Sequence, residues 1–186
     1  MEKWNQDLCI KAWNFASVAH QGQMVPGTEV PYINHVGNVA MEAMGAIVNS
    51  ECVKRPDLLI PTALLHDVIE DTRVTHDSLV EEFGCAVADG VLALTKNSEL
   101  ESKAAMMQDS IERIKEQPKE IWMVKLCDRI TNLQPPPSHW NSKKIEKYRD
   151  EAKLILEELG LSCEYLADRL ESKINDYSKY IKLPKS

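Results

Sequence analysis

The chain of 186 residues has little of what marks several protein classes. It contains only seven glycines and two phenylalanines, and no useful stretch alternates apolar and polar residues as a half-buried β-strand does. No apolar run is long enough to cross a bilayer, and residues 1–11 are polar and carry both charge signs, unlike a signal peptide. These absences predict a cytoplasmic protein with no membrane contact.

An excess of basic residues is also missing. The chain has 22 Lys and Arg against 29 Asp and Glu, which leaves a formal net charge of −7. Proteins that bind nucleic acids or anionic membranes need a basic surface to neutralise phosphates. The charge balance therefore predicts no nucleic-acid partner.

The five cysteines lack the spacing of a metal or redox motif. No two of them are close enough along the chain for a zinc ribbon or a Cys-x-x-Cys pair. Four have apolar neighbours in sequence, where a thiol acts as a small core residue; they are Cys9, Cys85, Cys127 and Cys163. We predict no chemistry for the cysteines.

Helical periodicity is what the sequence does contain. Apolar residues recur at intervals of three and four over residues 4–19, 145–159 and 166–181, as one face of a helix requires. The pattern predicts an all-α protein of roughly eight to ten helices. We expect one domain over residues 1–186, with residues 161–181 forming a C-terminal packing helix.

Several helix boundaries are also indicated. Thr75 is a candidate N-cap, and Gly84 stands where the same short helix would end. Ser98 and Glu101 have the spacing of a capping box, which predicts a helix from there to about Glu116.

One apolar segment places four ionisable groups within six residues. Residues 62–72 begin as an apolar helix and then carry His66, Asp67, Glu70 and Asp71. Buried charged groups are costly unless they are paired or bind a metal. On a continuous helix Glu70 would share a face with His66, and Asp71 with Asp67. The alternative is a polar helix end with ordinary capping partners.

Two other segments supply similar groups. His35 falls in the first turn of a predicted helix, where a packing or capping role is the alternative. Asp128 ends an apolar helix, where an ion pair with Lys125 or Arg129 is the alternative, and Asn132 follows it by one turn. Together His35, His66, Asp67 and Asp128 form a nitrogen and oxygen donor set without thiolate. Such a set suits octahedral Mn²⁺, Fe²⁺, Co²⁺ or Mg²⁺ better than structural zinc.

The spacing of a lone His, a His-Asp pair and a distant Asp resembles the HD phosphohydrolase superfamily. Three segments are similar to the SpoT-type alarmone hydrolases, especially their small stand-alone form: PYINH (31–35), ALLHDVIEDT (63–72) and VKLCDRITNL (124–133). The resemblance covers about residues 4–160 and implies a compact helical HD-domain fold.

The resemblance also implies an activity and its residues. A hydrolase of this family removes the 3′-pyrophosphate of ppGpp or pppGpp with one Mn²⁺ ion. His35, His66, Asp67 and Asp128 would be the metal ligands, Glu70 and Asp71 would activate the water, and Asn132 would contact the nucleotide. The implied partner is a small-molecule nucleotide, and monomer and homo-oligomer both stay open.

The loop before PYINH departs from the family pattern. The family usually has an Arg-Lys pair there, whereas residues 21–31 contain no basic residue. We predict that Arg129 and Lys103 contact the substrate instead, among four candidate cations: Lys96, Lys103, Lys125 and Arg129. Two alternatives stay open, namely hydrolysis of another nucleotide (an adenine alarmone or a ribose phosphate ester) and a non-catalytic nucleotide-binding regulator.

Overall fold

The computed structural model describes residues 4–181 and confirms the all-α fold class. In this part of the chain there are ten α-helices and no β-strand. They are α1 (Gln6–Ala19), α2 (Ile33–Asn49), α3 (Pro56–Leu65), α4 (Val68–Asp71), α5 (His76–Phe83), α6 (Cys85–Leu94), α7 (Lys103–Lys115), α8 (Lys119–Asn132), α9 (Ser142–Leu159) and α10 (Glu164–Tyr177). None of the helices within residues 4–181 is long and apolar enough to cross a membrane.

The central helix is α3, which packs against α1, α2, α6 and α8. Its residues 58–65 are all buried, as expected of a helix that is apolar on every side. On α2, the buried face includes Ala40, Ala43 and Ala46, whose small side chains allow a close approach of neighbouring helices. Because α2, α3 and α8 pack against one another, their ends meet at one point of the bundle.

The predicted ends of α5 are confirmed. The Thr75 hydroxyl accepts a hydrogen bond from the N–H of Ser78, and the Ser78 hydroxyl accepts one from the N–H of Thr75. Gly84 ends the helix with a φ of +81°, a conformation that glycine adopts without strain.

The predicted start of α7 at Ser98 is wrong. The N-cap is Ser102, whose hydroxyl accepts from the N–H of Ala105. Residues 97–100 form a turn instead, because the Asn97 side chain accepts from the N–H of Glu99 and the Asn97 carbonyl from that of Leu100. An Asx turn of this kind competes with helix initiation.

The predicted continuous helix through residues 62–72 is also wrong. Helix α3 ends at Leu65, and the four-residue helix α4 begins at Val68. Between them Asp67 has φ −106° and ψ 0°, outside the helical range. The break places His66 and Asp67 side by side at the end of α3, with His66 still buried.

At the C-terminal end, α9 and α10 pack against each other and against α8. Helix α10 buries Leu166, Leu170, Ile174 and Tyr177, which are apolar positions of the predicted packing helix. Ile181 lies beyond the helix, which ends at Tyr177.

The cysteines differ in part from expectation. Cys9 and Cys127 are buried as predicted, but Cys85 is exposed because it begins α6 directly after the Gly84 turn. Cys52 and Cys163 form a disulfide with a Cα–Cα distance of 5.6 Å. The prediction of no cysteine chemistry was therefore wrong for this pair. The two cysteines are 111 positions apart, and no local spacing rule reaches that far.

Candidate active site

Four predicted metal ligands come from three places in the fold. His35 lies in the first turn of α2, His66 and Asp67 occupy the break between α3 and α4, and Asp128 lies in the last turn of α8. Both imidazoles are buried, with 8% and 3% of the side chains of His35 and His66 exposed. The packing of α2, α3 and α8 therefore brings these ends together.

The ligand atoms face a common centre. The Nε2 atom of His35 is 3.5 Å from Asp128 Oδ1 and 3.8 Å from Asp67 Oδ2. The Nε2 atom of His66 is 2.9 Å from the same Asp67 oxygen and 3.9 Å from Asp128 Oδ1. His35, His66 and Asp128 offer ligand atoms that all lie within 4.8 Å of one another, as a metal site requires.

The orientation of His66 fits a metal ligand. Its Nδ1 atom is 2.9 Å from the carbonyl oxygen of Ala63, so Nδ1–H donates to this acceptor. The lone pair of Nε2 then points to the centre, where Nε2 is buried and finds no well-oriented hydrogen-bond partner among the described residues. A lone pair and a carboxylate oxygen 2.9 Å apart repel each other. A positive charge, either a proton on Nε2 or a divalent cation, is needed between them.

The pKa values of these groups reflect the same need for a positive charge. Burial opposes a charge on His66, but Asp67 and Asp128 outweigh it and raise the pKa of the imidazole to about 9. Burial alone would raise the pKa values of Asp67 and Asp128. The charge on His66 instead holds the pKa of Asp67 well below its usual range. Lys125 and the two histidines hold the pKa of Asp128 well below its usual range.

Three neighbours orient the two carboxylates. The Tyr32 hydroxyl donates to Asp67 Oδ2, and burial and this carboxylate raise the pKa of the phenol, which keeps it a donor. The Asn132 amide donates to Asp128 Oδ1 at 2.5 Å. Lys125 Nζ lies 3.4 Å from Asp128 Oδ2, with 8% of its side chain exposed.

Glu70 and Asp71 lie beside this centre, each held by a different loop. The backbone N–H of Lys96 donates to Glu70 Oε2 at 3.0 Å, and its ammonium donates to Oε1 at 2.5 Å. The Gln23 amide donates to Asp71 Oδ2 at 2.9 Å.

These groups line one cavity of about 370 Å³. Its polar lining includes the predicted ligands, Glu70, Asp71 and Asn132, together with Lys96 and Lys125. Val25, Pro26 and Leu94 add an apolar portion. The cavity thus combines a possible cation site, two carboxylates, two ammonium groups and an apolar surface.

Two predicted substrate residues are not brought to this cavity. The guanidinium of Arg129 stacks over the Tyr148 ring at 4.4 Å, with Nη2 3.9 Å from Glu151 Oε2. Lys103 is the exposed first residue of α7 and does not line the cavity. Arg129 directly follows Asp128 on α8, and adjacent helical side chains diverge by about 100°.

Two polar lining residues, Gln23 and Tyr32, were not singled out from the sequence. Lys96 and Lys125 were among the four candidate cations, and the ion pair of Asp128 with Lys125, given as the alternative to a ligand role, is present at 3.4 Å. Lys125 precedes Asp128 by three residues on a helix, a spacing that places both on one face. Gln23 and Tyr32 flank the 24–31 loop, and nothing local ties them to distant acids.

Comparison with known proteins supplies the family. Residues 12–160 match the HD domain family. The guanosine-3′,5′-bis(diphosphate) 3′-pyrophosphohydrolase MESH1 of Danio rerio is 31% identical over 171 residues, which cover 88% of this chain and 91% of that protein. MESH1 of Drosophila melanogaster is 30% identical over 135 residues, covering 70% of this chain and 72% of that protein.

A solved structure of similar shape is that of a metazoan orthologue of SpoT, described as a protein that hydrolyses ppGpp and plays a role in starvation responses. It aligns with a TM-score of 0.80 at 23% identity, covering 97% of this chain and 100% of the other. The two chains therefore share a fold.

Proposed function

Because this chain belongs to the HD domain family, and within it to the family of MESH1 pyrophosphohydrolases, we propose that it hydrolyses the 3′-pyrophosphate of ppGpp and pppGpp. Water adds to the phosphorus attached to the ribose O3′, the P–O3′ bond breaks, and a proton passes to O3′. The products are GDP or GTP and pyrophosphate. The observation that carries the proposal is the convergence of His35, His66, Asp67 and Asp128 beside two further carboxylates.

The chemistry of the donor set supports a resident divalent cation, which we propose to be one Mn²⁺. Two imidazole nitrogens and two carboxylate oxygens suit Mn²⁺, with Fe²⁺, Co²⁺ and Mg²⁺ as the other candidates. When bound, such an ion polarises a phosphoryl oxygen and lowers the pKa of a bound water.

The remaining steps belong to the chain's own residues. Glu70 and Asp71 orient the attacking water and accept its proton. Lys96 and Lys125 line the cavity and offset the negative charge of the phosphates. The amide of Asn132 contacts the nucleotide, and Val25, Pro26 and Leu94 form the surface against which the base lies.

We also propose that the chain folds as a single domain; of the expected range 1–186, residues 1–3 and 182–186 lie outside the described part. Helices α9 and α10 pack on α8, which carries Asp128 and Asn132. By packing on α8, these two helices hold Asp128 and Asn132 in place.

A second candidate is hydrolysis of an adenine alarmone or another ribose phosphate ester. The apolar side chains of Val25 and Pro26 line the cavity in the loop where the family usually has a basic pair. A non-catalytic regulator is the weaker alternative, because Glu70 and Asp71 line the same cavity as the four proposed ligands.

One assay separates these functions. Purified protein is stripped of metal, reloaded with Mn²⁺ or Mg²⁺, and incubated with ppGpp, pppGpp, ppApp and common nucleotides. We expect Mn²⁺-dependent release of GDP and pyrophosphate from ppGpp. Binding of ppGpp without turnover would indicate the regulator, and turnover of other nucleotides alone would indicate the second candidate.

A further inference from the structure

A hydrogen-bonded chain of side chains leads from the buried end of α1 to the active-site cavity. The Nδ1 atom of His20 is 2.7 Å from Gln23 Oε1, and Gln23 Nε2 donates to Asp71 Oδ2 at 2.9 Å. His20 is 4% exposed and does not line the cavity, whereas Gln23 and Asp71 do.

The donor and acceptor roles along this hydrogen-bonded chain follow from the carboxylate at its end. An ionised carboxylate only accepts hydrogen bonds, so the amide nitrogen of Gln23 must face Asp71. The amide oxygen therefore faces His20, and Nδ1 of that ring must carry a proton to donate to it. The Nε2 atom of His20 has no hydrogen-bond partner among the described residues, which suits a nitrogen that carries a lone pair and no proton.

The surrounding backbone fixes Gln23 in place. Its N–H donates to the carbonyl of His20 at 3.0 Å, and its carbonyl accepts from the N–H of Tyr32 at 2.9 Å. Gly22 makes the intervening turn with a φ of +82°. The His20 ring packs on that of Tyr32 with 5.0 Å between centroids, and the Tyr32 hydroxyl donates to Asp67.

Asp71 has little else to hold it. It is exposed and ends the four-residue helix α4, and a free carboxylate in such a place rotates readily. Of its two oxygens, Oδ2 is taken by Gln23.

We propose that His20 and Gln23 are positioning residues that fix the Asp71 carboxylate so that Oδ1 faces the attacking water. This inference rests on the proposed function, in which Asp71 takes part in handling that water. A group held in place before reaction saves the cost of ordering it during reaction.

The first test measures turnover in matched variants. Gln23→Leu and His20→Leu remove hydrogen bonds between the side chains. His20→Asn keeps a donor, because Asn Nδ2 takes nearly the position of His Nδ1. Gln21→Leu is the control, since Gln21 is exposed in the same loop. For ppGpp with Mn²⁺ we expect the two leucine variants to lower kcat about 10- to 100-fold, as outer-shell changes do. KM and bound metal should stay unchanged, and Tm should fall by only about 2–4 °C, the cost of roughly one hydrogen bond. His20→Asn should recover most of the rate, and Gln21→Leu should match the wild type.

A double-mutant cycle tests whether Gln23 acts through Asp71. In single-turnover assays Gln23→Leu should cost almost nothing further in an Asp71→Asn background, because both changes remove the same effect. An equal loss in both backgrounds would overturn the proposal, and so would full kcat in Gln23→Leu when Asp71→Asn is slow. Wild-type protein inactive on ppGpp would contradict the proposed function itself.

A third measurement needs neither variants nor activity. Nitrogen-15 NMR of the metal-free wild type reports which ring nitrogen of His20 carries the proton. We expect the Nδ1–H tautomer, the less common form in water. The Nε2–H tautomer would show that Gln23 Oε1 receives no hydrogen bond from His20, and the proposal would fail.

Discussion

At the residue scale, Asp128 has different neighbours on its two carboxylate oxygens. Oδ1 faces His35 and His66 and accepts from Asn132, whereas Oδ2 faces Lys125. Lys125 offsets the cost of burying the carboxylate and leaves Oδ1 for the common centre. Asp128 is thus compatible both with burial in the fold and with the proposed role as a cation ligand.

Asp128→Asn should nearly abolish Mn²⁺-dependent hydrolysis while leaving the fold in place. The substitution keeps the shape of the side chain but removes a charged ligand. We expect the rate to fall by more than roughly 100-fold, since even outer-shell changes cost 10- to 100-fold. Metal content and kcat are measured together with far-UV circular dichroism. Asp77→Asn is the control, because that carboxylate is 98% exposed. Activity within tenfold of wild type would contradict the ligand role.

Glu70→Gln should separate water activation from metal binding. The amide keeps the size of the side chain but cannot accept a proton, so kcat should fall ~10²–10⁴-fold, the usual contribution of such groups. Bound metal and the dissociation constant for ppGpp should stay close to wild type, as should all properties of the exposed control Glu81→Gln. If metal content declines together with the rate, Glu70 is a ligand instead.

At the residue scale, the sequence was informative where ionisable groups cluster in an apolar segment. The His66-Asp67 pair with Glu70 and Asp71 could be singled out because four ionisable groups in an apolar segment are costly without a purpose. Gln23 and Tyr32 could not, because their partners Asp71 and Asp67 are 48 and 35 positions away. Arg129 was predicted by its charge alone, and its direction depends on the packing of α8 against Tyr148.

At the element scale, the N-terminus of α3 is capped by a side chain from another helix. Arg55 stands at the N-cap and supplies no side-chain hydrogen bond to it. Glu120 of α8 instead accepts from the N–H groups of Lys54 and Arg55 at 3.0 and 2.9 Å, and it is 4% exposed. A carboxylate here satisfies N–H groups at a helix start and complements its dipole. The cap also fixes α8, which carries Asp128, against α3, which leads to His66.

Glu120→Ala should therefore destabilise the protein. Two part-buried hydrogen bonds to a charged acceptor are lost, which costs about 1–3 kcal/mol for hydrogen bonds of this kind. Urea denaturation measures the loss, and Glu120→Gln should retain part of the stability because its oxygen still accepts. Glu101→Ala, at an exposed position, should leave the midpoint unchanged. An unchanged midpoint in Glu120→Ala would show that the cap does not stabilise α3.

The elements were predictable where one local rule acts alone. Thr75 and Gly84 bounded α5 correctly because capping is set by adjacent residues. The same reasoning failed at Ser98, where the Asn97 side chain favours a turn. It also failed at residues 66–67, since the helical pattern continues through the break.

At the scale of the whole molecule, an acidic chain has to accept a highly charged anion. The net charge is −7, yet the cavity includes Lys96 and Lys125 close to the acids. Neither the local concentration of cations nor the disulfide between Cys52 and Cys163 follows from composition. Both depend on which distant segments the fold brings together.

The same cavity predicts weak discrimination between purine bases. Val25, Pro26 and Leu94 offer apolar contact, and such contact does not distinguish guanine from adenine. We expect kcat/KM for ppGpp and ppApp under matched Mn²⁺ to differ by less than tenfold, or about 1.4 kcal/mol. A larger preference for guanine would show that a polar group reads the base.

Val25→Arg tests the role of the loop in that result. A guanidinium over the base would add a cation–π contact worth ~0.5–2 kcal/mol, so KM should fall roughly 2- to 30-fold for both substrates, because stacking acts on any purine ring. Val30→Arg is the matched control, since Val30 is exposed in the same loop and does not line the cavity. Equal effects of the two variants would mean that added charge, and not stacking at position 25, attracts the nucleotide. A fall in KM for ppGpp alone would mean that this wall of the cavity contributes to base recognition.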